Sequence, residues 1–442
     1  MKLCNVTSKE FMDIVASGDE IICWGVGKNA DKCITELGIY DKVKYFVDSN
    51  PEKWGSQYKD RDVYDPRKLE EEKGTLLITP KLYFDILRGI WDKYDGLEVY
   101  CYEMMQPFQF DIDCLEDIWY YSRMIKPSID RYIHNLQDEG LDEESIRNAV
   151  EKKGSEIGKK INGEYPLILP RLVLFVTEKC TLRCQGCSAF VDKFKSPQHA
   201  DADKLIAGMK KIFANIDGCM NIQLGGGEIF LYPQLKEILL YLLAEEKCEK
   251  IGIITNGTIV PEDEIVKILA ENKIVVEMSD YGLIDIQARV IRKLEEYKVN
   301  LKVFSEQKWL DYGDPELKLE KPVKQLKHEY FTCPDGYMCK PFDGDRIYSC
   351  GRCLRMHHID VQGYDHEKDS CGIECDDLKE NIRTFYLREY AEACDYCARM
   401  QKPPAWIPVG VQPNKALQKS EYTIISRSEL LRLRDAAGDK SV

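Results

Sequence analysis

Short apolar runs, each followed by a turn or a helix-like segment, recur over two stretches of the chain. In the first they are Ile21–Trp24, Val43–Val47, 75–78 and Leu97–Cys101. Strands alternating with helices imply a parallel sheet, so residues 1–105 are expected to form a small α/β domain. Residues 106–165 change to helical periodicity with many charges and are expected to be a helical connector, which Asn162-Gly163 breaks. From Arg171 the alternation returns, with apolar runs at 172–176, 222–224, 251–254, 274–276 and Leu301–Phe304. Helix-like segments such as 235–243 and 262–270 lie between them. A parallel sheet or barrel is expected over 166–310. Beyond it the periodicity fades into cysteine, glycine and aromatic residues. This predicts a loop-rich, metal-organised segment over 311–405, and then a tail over 406–442 that ends in a charged, helix-like stretch.

Composition narrows the function. A chain of 442 residues suggests about three domains. The net charge of −14 argues against binding nucleic acid or an anionic membrane surface. The first residues are polar, no signal segment is visible, and no apolar run reaches the ~20 residues of a membrane helix. The expected location is cytoplasmic. Thiols stay reduced there, so clustered cysteines point to metal rather than disulfides. Of the 18 cysteines, three fall within 180–187 and eight between 333 and 397. Cys4, Cys23, Cys33, Cys101, Cys114, Cys219 and Cys248 are scattered.

The first group reads Cys180-x3-Cys184-x2-Cys187 directly after a predicted strand. Three thiolates on one loop can ligate three irons of a cubane cluster and leave the fourth open. A zinc site with a remote fourth ligand is the alternative, though zinc motifs usually come as paired CxxC units. The triplet resembles that of the radical S-adenosylmethionine (SAM) superfamily. The resemblance implies a [4Fe–4S] cluster on Cys180, Cys184 and Cys187. It also implies reductive cleavage of SAM to a 5′-deoxyadenosyl radical, a flavodoxin or ferredoxin-type electron donor, and a partial (β/α)6 barrel. Gly225-Gly226-Gly227-Glu228 looks like the family motif that meets the amino group of SAM. Thr255-Asn256-Gly257 resembles a second family element, and Ser279 and Asp280 stand where the family binds the SAM ribose. All four motifs follow predicted strands. In a β/α barrel, loops at the C-terminal strand ends share one rim.

In the second group, Cys339 and Cys350 flank a glycine turn at Gly344, so a β-hairpin can bring them together. Cys394-x2-Cys397 adds a pair on one turn. Four thiolates complete a closed [4Fe–4S] site. The pattern looks like the twitch and SPASM extensions that follow many radical SAM barrels. A structural Cys4 zinc site and a different ligand set drawn from Cys333, Cys353, Cys371 and Cys375 are alternatives. Near the N-terminus, Gly25-x-Gly27-x-x-Ala30 and Asp48 loosely match the dinucleotide fingerprint, giving a Rossmann-like expectation for the first domain.

The resulting expectation is a radical SAM enzyme acting on a small-molecule or sugar/nucleotide-type substrate. A peptide-modifying enzyme and a non-catalytic zinc or iron–sulfur scaffold are the alternatives. An NAD oxidoreductase is disfavoured, because no complete GxGxxG is present.

Overall fold

The computed structural model describes residues 2–412 apart from Asp19, Asp92, Glu306 and Gln307. The tail expected from residue 406 therefore lies outside the described residues beyond Gln412. The chain divides into two units. One runs to Ile129 and again from Gly140 to Pro166; the other takes Asp130–Glu139 and continues from Leu167. No helix among the described residues is long and apolar enough to cross a membrane.

The first unit is built on β1 (Lys2–Leu3), β2 (Ile21–Trp24), β3 (Val43–Val47), β4 (Gln57–Tyr58), β5 (Arg61–Tyr64), β6 (Gly74–Ile78) and β7 (Leu97–Cys101). Their order is β1-β7-β6-β2-β3-β5-β4, parallel except for β4 with β5. The chain winds outward from central β2 through β3 and β5, then returns through β6 and β7. This is the doubly wound order of a Rossmann sheet. All four residues of β2 are buried, which is why that run is apolar throughout. Asp48, after β3, accepts hydrogen bonds from the Val26 N–H (3.0 Å), the Asn50 N–H (2.8 Å) and the Lys53 ammonium (3.0 Å). The charged segment expected as a separate connector is divided. Helix Glu143–Ile157 packs in the first unit, where a Cβ on Gly154 would fall 2.1 Å from the Phe108 ring. Residues Asp130–Glu139 go to the second, where Asn135 donates to the Met220 carbonyl (2.7 Å).

The second unit contains β8 (Ile168–Leu169), β9 (Leu172–Thr177), β10 (Gly218–Cys219), β11 (Ile222–Gly226), β12 (Ile251–Thr255), β13 (Ile274–Ser279) and β14 (Leu301–Phe304). It continues with β15 (Lys308–Leu310), β16 (Lys340–Phe342), β17 (Arg346–Tyr348), β18 (Ser370–Gly372) and β19 (Trp406–Pro408). Its main sheet runs β14-β13-β12-β11-β9-β16-β17-β18. The five strands expected from the apolar runs are all present and parallel, with helices Ala202–Asn215, Leu235–Ala244, Asp263–Leu269 and Ile284–Glu296 between them. The sixth parallel strand is not another β/α repeat. It is β16 from the cysteine-rich segment, which pairs with β9 at Lys340↔Leu172. Because β9, β11, β12 and β13 run the same way, the loops that follow them leave one edge of the sheet, where ligands of α/β proteins bind.

Candidate functional site

Cys180, Cys184 and Cys187 lie on the loop that leaves β9. They line one cavity of about 520 Å³ with Gly226, Gly227, Asn256 and Ser279 from the ends of β11, β12 and β13. The cysteine loop is stitched to the β11 turn through backbone. The Gly227 N–H donates to the Thr177 carbonyl (2.7 Å) and the Glu228 N–H to that of Lys179 (2.9 Å). A Cβ on Gly226 would fall 2.1 Å from the Thr177 oxygen, and one on Gly227 2.0 Å from the Lys179 oxygen. These glycines therefore let two loops of the chain approach each other, besides facing the cavity.

Glu228 is fully buried and does not line the cavity. Its carboxylate accepts from the Thr255 hydroxyl (2.7 Å), the Asn256 N–H (2.8 Å) and the Phe230 N–H (3.2 Å). It ties the β11 turn to the β12 turn. Burial pushes its pKa up against these three donors. Glu228→Gln keeps one acceptor oxygen and turns an NH2 against a neighbouring donor. The expected loss is about 1–3 kcal/mol of stability, read as a lower thermal midpoint.

The thiols are oriented by N–H groups. Cys180 Sγ receives the Leu182 N–H (3.4 Å) and Asn256 Nδ2 (3.4 Å), and Asn256 Nδ2 also reaches Thr181 Oγ1 (3.2 Å). Cys184 Sγ receives Gln412 Nε2 (2.9 Å), while Gln412 Oε1 accepts the Arg183 N–H (2.7 Å). The backbone N–H groups of Val191 and Ala189 favour the Cys187 thiolate. Burial pushes all three thiols up, Cys184 to about 12, so their protons must leave when metal enters. Among the described residues, no three His, Cys, Asp or Glu side chains form a site for a single metal ion. Three thiols on one loop, facing one cavity, can each take a different iron of a cubane and leave the fourth iron open.

The two ribose candidates part company. Ser279 faces the cavity. Asp280 is 1% exposed, and its carboxylate accepts the Gly282 N–H (2.8 Å) and the Ser305 hydroxyl (2.8 Å) beside a smaller cavity of about 260 Å³.

A further cavity of about 280 Å³ is lined by Cys333, Cys339, Cys350, Cys394 and Cys397. The expected hairpin forms, with β16 and β17 paired at Phe342↔Ile347. Burial pushes the thiols of Cys333, Cys353, Cys394 and Cys397 up, and the charge of Cys350 adds to this in each. Cys339 lines the same cavity as Cys350 and receives Arg171 Nη1 at 3.6 Å. The cause is register: Lys340 pairs with Leu172, which holds Cys339 at the start of β9 beside Arg171. Cys353 Sγ lies 3.4 Å from Cys350 Sγ, fully buried. Cys371 and Cys375 do not line the cavity. The two cysteine cavities share Phe175, Ser188, Ile254, Tyr312 and Arg399 as a common wall.

Cys333, in the alternative ligand set, sits between helices Val323–Thr332 and Pro334–Met338, outside any paired spacing. Two further contributors had no signal in the sequence. Arg355 is fully buried, with its guanidinium 4.1 Å over the Phe175 ring and 3.7 Å from Glu178 Oε1. The start of the expected tail is part of the site: β19 pairs with β15, Trp406 lines the first cavity, and Val411 accepts the Gln185 N–H (2.7 Å).

Residues 174–290 match the model of the Radical SAM superfamily. The chain is 28% identical over 151 residues to the antilisterial bacteriocin subtilosin biosynthesis protein AlbA of Bacillus subtilis, which is 33% of this chain and 29% of that one. It is 36% identical over 95 residues to a GTP 3′,8-cyclase of Stenotrophomonas maltophilia, 21% of this chain and 28% of the relative. The chain thus spans less than a third of the curated relatives it matches. Among solved structures, BtrN in complex with AdoMet and 2-DOIA aligns at a TM-score of 0.33 and 16% identity, over 52% of this chain and 92% of that one. The match to the radical SAM superfamily begins within β9, encloses the Cys180, Cys184 and Cys187 loop and reaches past Ser279.

Proposed function

We propose that the chain binds SAM beside a [4Fe–4S] cluster held by Cys180, Cys184 and Cys187, and removes a hydrogen atom from an unactivated C–H bond of a small substrate of sugar or nucleotide type. One observation carries this reading: a single cavity joins the three thiols to the β11, β12 and β13 strand ends and shares a wall with the second cysteine cavity. When bound, the cluster and SAM supply reductive cleavage to methionine and a 5′-deoxyadenosyl radical, and a second cluster on Cys333, Cys350, Cys394 and Cys397 supplies an electron sink.

The chain's own residues bind, orient and exclude water. The Gly226 and Gly227 backbone meets the amino group of SAM, and Ser279 meets its ribose. Glu228 and Asp280 hold the loops that present them, through the hydrogen bonds described above. Asn256 and Gln412 aim N–H groups at cluster thiolates, a contact that orients ligands and tunes the metal. Trp309, Trp406 and Tyr281 wall the cavity and limit access of water to a reactive intermediate. A flavodoxin or ferredoxin delivers the electron.

The test is anaerobic reconstitution with iron and sulfide, followed by an assay for 5′-deoxyadenosine from SAM and dithionite. Formation of the nucleoside supports the reading. A protein that takes up zinc alone, or holds iron and leaves SAM intact, is the non-catalytic scaffold. The likeness to a bacteriocin biosynthesis protein favours a second substrate reading, a peptide. A precursor peptide that binds and changes mass would select it.

A further inference from the structure

Arg355 is fully buried, and its Nε, Nη1 and Nη2 have no hydrogen-bond partner. It lines neither cysteine cavity. Its guanidinium lies 4.1 Å over the ring of Phe175, which lines both, and 5.4 Å from that of Phe194. Its Nη2 stands 3.4 Å from the place a Cβ would take on Gly226, a residue of the first cavity. The group therefore sits behind the wall of that cavity, closed off from a substrate.

The carboxylate nearest to it is already engaged. Glu178 Oε1 lies 3.7 Å from Arg355 Nη1, but it also lies 2.8 Å from His358 Nδ1, and Oε2 accepts the Gln198 N–H (3.0 Å). Glu178 offsets the charge of Arg355 without taking its N–H groups. Desolvation brings the Arg355 pKa down to about 10, against the opposing charges of Glu178 and Cys187, so the group is charged at neutral pH. In return, Arg355 favours the Cys187 thiolate. A buried guanidinium with three free nitrogens lacks acceptors, and a thiolate-bound cluster presents sulfur acceptors. Helix Gly351–His358 thus carries an arginine for each cysteine group. Arg352 donates to the Gly313 carbonyl (3.1 Å) and to that of Tyr396, in the field of Cys397, Cys350 and Cys353. Arg355 lies in the field of Cys187.

We propose that Arg355 is a positioning residue for the first cluster, one that turns its charge and its free N–H groups on the Cys187 side of the cluster and favours the reduced state. Reduction adds one negative charge, which a buried cation and N–H groups directed at sulfur both stabilise. The electron donor then meets a less negative potential. This inference rests on the radical SAM reading above and adds to it a residue from outside the cysteine loop.

The experiment is a redox titration of the full chain, reconstituted with iron and sulfide and followed by electron paramagnetic resonance. The first cluster is the signal that added SAM alters and that the Cys180→Ala, Cys184→Ala, Cys187→Ala variant lacks. Arg355→Met is expected to shift its one-electron equilibrium roughly tenfold or more toward the oxidised state, a fall in potential of about 59 mV per tenfold. The second cluster's potential is expected to stay in place. Arg355→Lys keeps the charge and loses the fork, and its potential is expected to lie between those of Arg355→Met and the parent. An unchanged first-cluster potential in Arg355→Met, or an equal fall in both clusters, overturns the proposal. If Arg355→Met loads no first cluster, Arg355→Gln, which keeps an NH2 donor, is titrated in its place. An unchanged potential there, or no cluster there either, assigns Arg355 to folding and overturns the proposal. These outcomes leave the radical SAM reading standing. A parent with no SAM-sensitive signal overturns that reading and this inference together.

Discussion

The Cys180→Ala, Cys184→Ala, Cys187→Ala variant is expected to form no 5′-deoxyadenosine under conditions where the parent forms it. The three thiols come from one loop and face one cavity with the β11, β12 and β13 strand ends. No other cysteine lines that cavity among the described residues, so nothing nearby can replace them. With two cubanes, the parent is expected to hold about eight irons and the variant about four. The loss of nucleoside should therefore accompany the loss of half the iron, not all of it. Nucleoside formation by the variant would move the chemistry elsewhere in the molecule.

Replacement of Cys333 is expected to cost the second cluster, and replacement of Cys339 is not. Cys333→Ala removes one of the thiols that line the second cavity, and about four irons should go with it. Cys339→Ala removes a thiol whose donor is Arg171, and the iron count should stay near eight. Iron and sulfide analysis with electron paramagnetic resonance of the reduced proteins separates the two. The reverse outcome would restore the hairpin pair Cys339 and Cys350 as ligands.

Local spacing carried much of this protein. The Cys180-x3-Cys184-x2-Cys187 loop, the glycine turn after β11 and the Asn256 turn after β12 are each read within a dozen residues, because a strand end and its turn are local structures. Strand positions were legible for the same reason: a parallel strand covered on both faces is a continuous apolar run, as β2 is. The meaning of Glu228 and Asp280 was not. A carboxylate after a strand looks the same in sequence whether it turns to a ligand or accepts N–H and O–H groups from the next loop, and both of these turn inward.

What the sequence determined by itself was the family loop, the five parallel strands and the presence of two cysteine groups. Tertiary structure alone decided which thiols meet. Cys333, Cys339, Cys350, Cys394 and Cys397 come to line one cavity, with β16 docked on β9 in a register that adjacent residues do not encode. Gln412 reaches Cys184 across 228 residues, and the two cavities share Arg399, for the same reason. Such contacts depend on how strands and loops from distant parts of the chain pack against one another, and no periodicity or spacing along the chain records that packing.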